Sequence, residues 1–175
     1  MAEREVQWIS RMAGGDEKAF EELYNATSRK VFAYLRSRNI DEQTAADVLQ
    51  NTFLAAWRSA GRYMGGAKPL TWLIAIARHK LADELRVRER NRAAPLETVA
   101  GGHDPTAGTE ERLSVRQAVE TLAEEQRELL HLVFVLGMGY AEVAEVLEVP
   151  EGTVKSRMHA LKKQLAGKLA TEVGA

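Results

Sequence analysis

The sequence predicts an all-α chain of two small helical domains joined by a flexible linker. Three observations carry this expectation. Apolar residues recur at intervals of three and four over most of the length, no stretch alternates as a strand does, and one run of prolines and glycines without apolar periodicity separates two helical halves. With 175 residues, one domain or two small ones are possible. The pattern divides them into 1–92, a linker 93–111, and 112–175.

Each element has its own signal. Residues Met1 to Met12 carry Glu3, Arg4, Glu5 and Arg11 with no apolar run, so they do not read as a secretory signal. Gly14 and Gly15 precede a helix from Asp16, with Phe20, Leu23, Tyr24, Val31 and Leu35 near one face. Asp41 is the expected N-cap of a second helix, whose face is Ala45, Val48, Leu49, Thr52, Phe53 and Ala56 and whose end falls near Ser59. Ala60 to Lys68 holds Gly61, Gly65 and Gly66 and reads as a loop. Pro69 suits the first position of a helix running to about Arg92, with Leu70, Leu73, Ile74, Ala77, Leu81 and Leu85 on one face and Arg78, Arg86 and Arg90 off it.

Pro95, Gly101, Gly102, Pro105 and Gly108 mark the linker. Beyond it, Leu113–Val119 and Glu124–Leu136 read as helices, and Gly137 and Gly139 as the next turn. Tyr140–Leu147 is a short helix, Glu148–Pro150 a tight turn, and Gly152–Leu169 a longer helix with Val154, Met158, Leu161 and Leu165 on one face.

Pooled charge argues against a nucleic-acid binder: 24 Lys and Arg stand against 25 Asp and Glu, a formal charge of -1. Segregation reverses that inference. Residues 71–92 hold six cations and three acids, and residues 150–170 five cations and one acid, Glu151. The linker has four acids and no cation, and residues 120–149 seven acids and Arg127. The absence of Cys excludes disulfide frameworks, thiolate metal sites and cysteine nucleophiles. The longest nearly apolar run, Leu129–Ala141, is shorter than the ~18 residues of a membrane span. No His pair has the H-E-x-x-H spacing of a metalloenzyme. The expectation is a cytoplasmic, non-enzymatic protein without metal or cofactor and without membrane insertion.

The short helix, turn and long basic helix over Tyr140–Leu165 have the layout of a helix-turn-helix, with small Ala144 where the second helix must cross closely. Val154, Met158 and Leu161 would face inward. Glu151, Thr153, Lys155, Ser156, Arg157, His159, Lys162 and Lys163 are the candidates for groove and phosphate contacts, with Lys168 nearby. A merely solvated basic face is the alternative for a single helix, and the full short-turn-long pattern disfavours it. Glu148 stands where a turn glycine is common.

The run Pro150-Glu151-Gly152-Thr153-Val154-Lys155-Ser156-Arg157-Met158 resembles the P-x-G-T-V-K-S-R-L signature of bacterial extracytoplasmic-function sigma factors, members of the sigma-70 family. Asp47-Val48-Leu49-Gln50-Asn51-Thr52-Phe53 with Trp57 resembles that family's D-L-V-Q-E-V-F and downstream W. Thr71-Trp72-Leu73 with Ile76-Ala77-Arg78 resembles its T-W-L-x-x-I-A-R-N. Together the resemblance covers about 16–92 and 112–168.

The resemblance implies an initiation subunit whose region 2 opens the minus-ten element and whose region 4 reads the minus-thirty-five element. It places Asp47, Gln50, Asn51, Leu54 and Arg58 against the clamp coiled coil of the largest subunit of core RNA polymerase. Arg62, Tyr63, Met64, Gly65, Gly66, Ala67 and Lys68 would form the loop that samples a flipped base, with Arg78, Lys80 and Arg86 along the strand. Trp72 reads as core, and the Tyr63 ring would either cap the base or close the domain. Lys155, Ser156 and His159 fall on the family's minus-thirty-five contact positions. Promoter DNA, core polymerase and an anti-sigma factor are the implied partners, and a stress response the implied setting. Asn51 replaces the family's usual acid, His79 its Asn, and Ala160 a frequent cation. The competing reading is a stand-alone helix-turn-helix regulator with a helical dimerisation or sensing domain.

Overall fold

The computed structural model describes residues 2–91 and 119–173. The linker, Arg92 and all but the last residue of the expected Leu113–Val119 helix lie outside them. Among the described residues every regular element is helical. The chain divides into two compact units, one of 1–101 with 145–147 and the other of 102–144 with 148–175.

The first unit holds α1 (Ala2–Ala13), α2 (Glu17–Ser37), α3 (Glu42–Ser59), a 3-10 turn (Ala60–Arg62) and α4 (Pro69–Asn91). Asp16 ends the α1–α2 turn and caps α2, accepting from the Lys18 and Ala19 amides at 3.0 and 3.2 Å. Arg11 of α1 pairs with the same carboxylate at 2.7 Å, and this hydrogen bond, with those amides, holds Asp16 below its ordinary pKa. Asp41 caps α3 as expected, and α3 ends at Ser59. Proline opens α4, where the missing N–H costs no helical bond.

Ile9 and Met12 of α1 join Leu23, Val31, Tyr34, Leu35, Val48, Phe53, Leu73, Ile74 and Leu81 in the core. The α4 stripe is buried only as far as Leu81. Leu85 is 39% exposed rather than buried, because α4 meets the bundle there through polar groups: Arg88 reaches Asp41 at 3.3 Å and Glu84 at 2.8 Å. An aromatic group spans α2 and α3, with the Phe20 ring 5.5 Å from Trp57 and Tyr24 4.7 Å from Phe53.

The second unit holds α5 (Glu124–Leu130), a π-turn (His131–Val135), α6 (Tyr140–Leu147) and α7 (Glu151–Val173). The expected continuous helix to Leu136 thus changes hand-hold after Leu130. The Leu136 amide bonds the His131 carbonyl at 3.0 Å, five residues back, and the Phe134 and Val135 side chains turn outward at 63% and 65% exposure. Leu129, Leu132, Met138, Val143, Val154, Met158 and Leu161 form this unit's core. Gln126 of α5 donates to Gln164 of α7 at 2.9 Å.

Candidate nucleic-acid interface

The turn between α6 and α7 sets how the long helix is presented. The Val149 amide reaches back to the Ala144 carbonyl at 3.0 Å, and Glu148 takes φ 56°, which is a Schellman ending with glutamate at the position glycine favours. Pro150 then accepts from Thr153 N at 2.9 Å to start α7. With Val154, Met158 and Leu161 buried, the opposite face of α7 carries Glu151, Lys155, Ser156, Arg157, His159, Lys162 and Lys163, all exposed, and a half-buried Thr153.

Three of these side chains are engaged within the helix. Lys155 Nζ lies 2.8 Å from Glu151, one turn back, and Ser156 Oγ donates to the Thr153 carbonyl at 3.0 Å. Lys155 is therefore paired with one carboxylate along the exposed face, a pairing that its i,i+4 spacing already encodes.

In the first unit, the chain from Arg62 to Lys68 leaves the 3-10 turn, bends at Gly65 with φ 74°, and enters α4. The Tyr63 hydroxyl donates to the Ala67 carbonyl, closing the loop on itself, and its ring lies 5.0 Å from that of Trp72. Burial pushes the Tyr63 phenol above its ordinary pKa. Tyr63 and Trp72 are both half-buried, so Trp72 is not fully core and Tyr63 already helps to close the domain. Met64 at the tip is 96% exposed. Beneath the loop lies a concavity of about 450 Å³.

The α4 cations differ in availability. Arg86 is exposed and pairs with Asp83 at 3.2 Å, Lys80 is half-buried, and Arg78 is half-buried with its Nε out of contact with solvent. On α3, Asp47, Gln50, Asn51, Leu54 and Arg58 are all exposed and follow the helical spacing of one strip. Gln43 donates to Asp47 at 3.0 Å, and Leu54 is half exposed, an apolar group in a polar strip.

α1 was missed in the sequence as an element of this site. Glu3, Val6 and Gln7 line the concavity opposite Tyr63 and Lys68. Their i, i+3, i+4 spacing was the available signal.

The first unit thus presents an open concavity with Lys68 on its lining, and the second a short helix, turn and long helix with an exposed basic face. Residues 23–91 match the family described as Sigma-70 region 2, and residues 112–165 match Sigma-70, region 4. The ECF RNA polymerase sigma factor SigM of Mycobacterium tuberculosis (strain ATCC 25618 / H37Rv) is 33% identical over 162 residues, covering 93% of this chain and 83% of its own. SigC of M. tuberculosis (strain CDC 1551 / Oshkosh) is 36% identical over 150 residues, covering 83% and 80%. Among solved structures, the sigma factor RpoE of Bartonella quintana, determined with the anti-sigma factor NepR, superposes with a TM-score of 0.70 at 25% identity, covering 87% of this chain and 98% of that one. The chain belongs to the ECF RNA polymerase sigma factors.

Among the described residues no helix is long and apolar enough to cross a membrane, and no three His, Cys, Asp or Glu side chains are grouped to hold a metal ion.

Proposed function

We propose that the chain joins core RNA polymerase through the exposed α3 strip of Asp47, Gln50, Asn51, Leu54 and Arg58, and directs initiation at promoters whose two elements are met by its two units. The observation that carries this reading is the order of the matched regions, 2 then 4, each with exposed cations: Arg62, Lys68 and Arg86 in the first, and Lys155, Arg157, Lys162 and Lys163 in the second. The loop 62–68 receives an extruded minus-ten base, with Arg86 and Lys80 toward the phosphates. The exposed face of α7 enters the major groove of the minus-thirty-five element, with Lys155, Ser156 and His159 toward base edges and Arg157, Lys162 and Lys163 toward phosphates.

Bond-making chemistry stays with the polymerase, so the chain acts as an initiation factor rather than an enzyme, in the cytoplasm where that polymerase works. An anti-sigma factor is the further partner expected of this chain, in line with the Bartonella quintana relative RpoE, whose structure was determined with the anti-sigma factor NepR. Matches to both sigma regions support this reading over the stand-alone regulator.

Run-off transcription with purified core polymerase on a promoter library tests it. Transcripts that depend on the chain are expected, and their absence on every template would leave a non-initiating role. In a low-salt titration with a selected minus-thirty-five duplex, Lys155→Ala is expected to weaken binding by about 1–3 kcal/mol. Unchanged affinity would remove Lys155 from the reading face.

A further inference from the structure

We infer that α1 forms the second wall of the base-receiving hollow and that Glu3, with Gln7 beside it, selects an extruded base carrying an amino group over thymine. The inference rests on the proposed role of loop 62–68 and adds to it a specificity-determining residue outside the matched region 2, which begins at residue 23.

The wall is fixed in place. Ile9 and Met12 anchor α1 in the core, and Arg11 bonds Asp16 at the head of α2. Glu3, Val6 and Gln7 present one strip of α1 to the hollow, and the loop supplies the other side with Tyr63, Ala67 and Lys68. The volume, about 450 Å³, lies in the ~300–1,000 Å³ range of sites for small organic groups. Val6 is 37% exposed there and offers an apolar surface to a base plane, while the Tyr63 ring stands on the loop side.

A carboxylate in such a hollow works against a polyanion unless something in the ligand donates to it. Glu3 is acceptor-only when ionised. The edges of cytosine, adenine and guanine each present an amino donor, whereas thymine presents a single N–H between two carbonyls, so its oxygens would face the carboxylate. Gln7 carries both a donor and an acceptor and can complement the ring nitrogen or carbonyl next to the amino group. Discrimination at this position is therefore set by α1, and general affinity by the loop and the cations.

The test uses the full chain and four single-stranded heptamers identical except for A, C, G or T at the centre. Binding is followed by fluorescence anisotropy and by backbone amide shifts. The wild type is expected to favour at least one amino-bearing heptamer over the thymine heptamer by about fivefold or more, the lower end of what one specific base contact provides. Amides of both 63–68 and 3–7 should shift. In Glu3→Ala the preference should fall to within about twofold, while binding of the thymine heptamer tightens because a repelling charge is gone. A preference retained in Glu3→Ala, or absent in the wild type, overturns the role of Glu3 while shifts at 63–68 leave the loop reading intact. Shifts absent from 63–68 with every heptamer would overturn the loop reading itself, and this inference with it.

Discussion

Glu148 and Asn39 hold the same unusual backbone, with φ of 56° and 59°, but at unequal cost. Asparagine tolerates the left-handed region, whereas a glutamate there carries a penalty of roughly 1–2 kcal/mol from its Cβ. Part of that would be offset in a glycine variant by the greater freedom of its unfolded chain. Glu148→Gly should accordingly raise the stability of the second unit by about 0.5–1 kcal/mol, read as a higher urea midpoint at unchanged slope for amide signals of α6 and α7. A lower midpoint would mean that the Glu148 side chain contributes more than its backbone costs. In the first unit, Asp41 is the N-cap of α3. It accepts from the Thr44 hydroxyl and, at 2.8 Å, from the Thr44 amide, and these bonds, followed by the charge of Arg88, lower its pKa to about 2. Because the folded value lies below the ordinary 3.8, the stabilisation is fully present above pH ~4 and is lost as pH falls toward 2. The side chain is 45% exposed, so solvent screening reduces the effect to about 1 kcal/mol, the usual worth of an N-cap. Asp41→Ala should lose that amount at pH 7 and flatten the stability profile of the first unit between pH 4 and 2. A profile as steep as the wild type would assign the acid sensitivity to other carboxyls.

At the scale of elements, α5 is the least well begun. Ala123 has the extended backbone of an N-cap, φ -60° and ψ 153°, and the Gln126 side chain accepts from its amide at 3.1 Å. That is half of a capping box, and alanine has no oxygen to complete it. The Gln126 amide already donates to the Ala123 carbonyl at 3.0 Å, so Ala123→Ser, which offers the first-turn amides a further acceptor, should add about 0.5 kcal/mol to the second unit, the low end for an N-cap, measured by chemical denaturation. No gain would show that the Ala123 carbonyl already suffices for that turn. Elements with local signals were legible in the sequence: Asp41 as cap, Ser59 as end, Pro69 as start and the Glu148–Pro150 turn all fall where the residues place them. What escaped depends on packing. A 12-residue α1 is marginal alone and owes its order to Ile9 and Met12 in the bundle, so its charged sequence concealed a wall of the hollow. The π-turn at 131–135 and the outward Phe134 arise from one extra residue in a helical ladder, which periodicity does not register. Leu85 looked like core because its spacing fits, and only the position of Arg88 against Asp41 shows that the stripe has ended.

For the whole molecule, a formal charge of -1 is compatible with promoter binding because the two signs are kept apart. Exposed cations lie on the α7 face, whereas Glu97, Asp104, Glu110 and Glu111 belong to a segment with no Lys or Arg. Charges in water act over about a Debye length, ~10 Å at 0.1 M salt, so acids in the sequence between the two matched regions are expected to oppose the free chain's approach to any duplex. Replacing the four acids together by Gln and Asn should tighten binding of the free chain to a non-promoter duplex by about three- to tenfold at ~50 mM salt, with the gain shrinking at ~200 mM as screening removes the repulsion. Anisotropy titrations at the two salt concentrations measure it. An affinity unchanged at low salt would show that the acidic segment does not act on DNA. A gain undiminished at high salt would point instead to new contacts made by the substituted amides, because repulsion between like charges must weaken as screening increases.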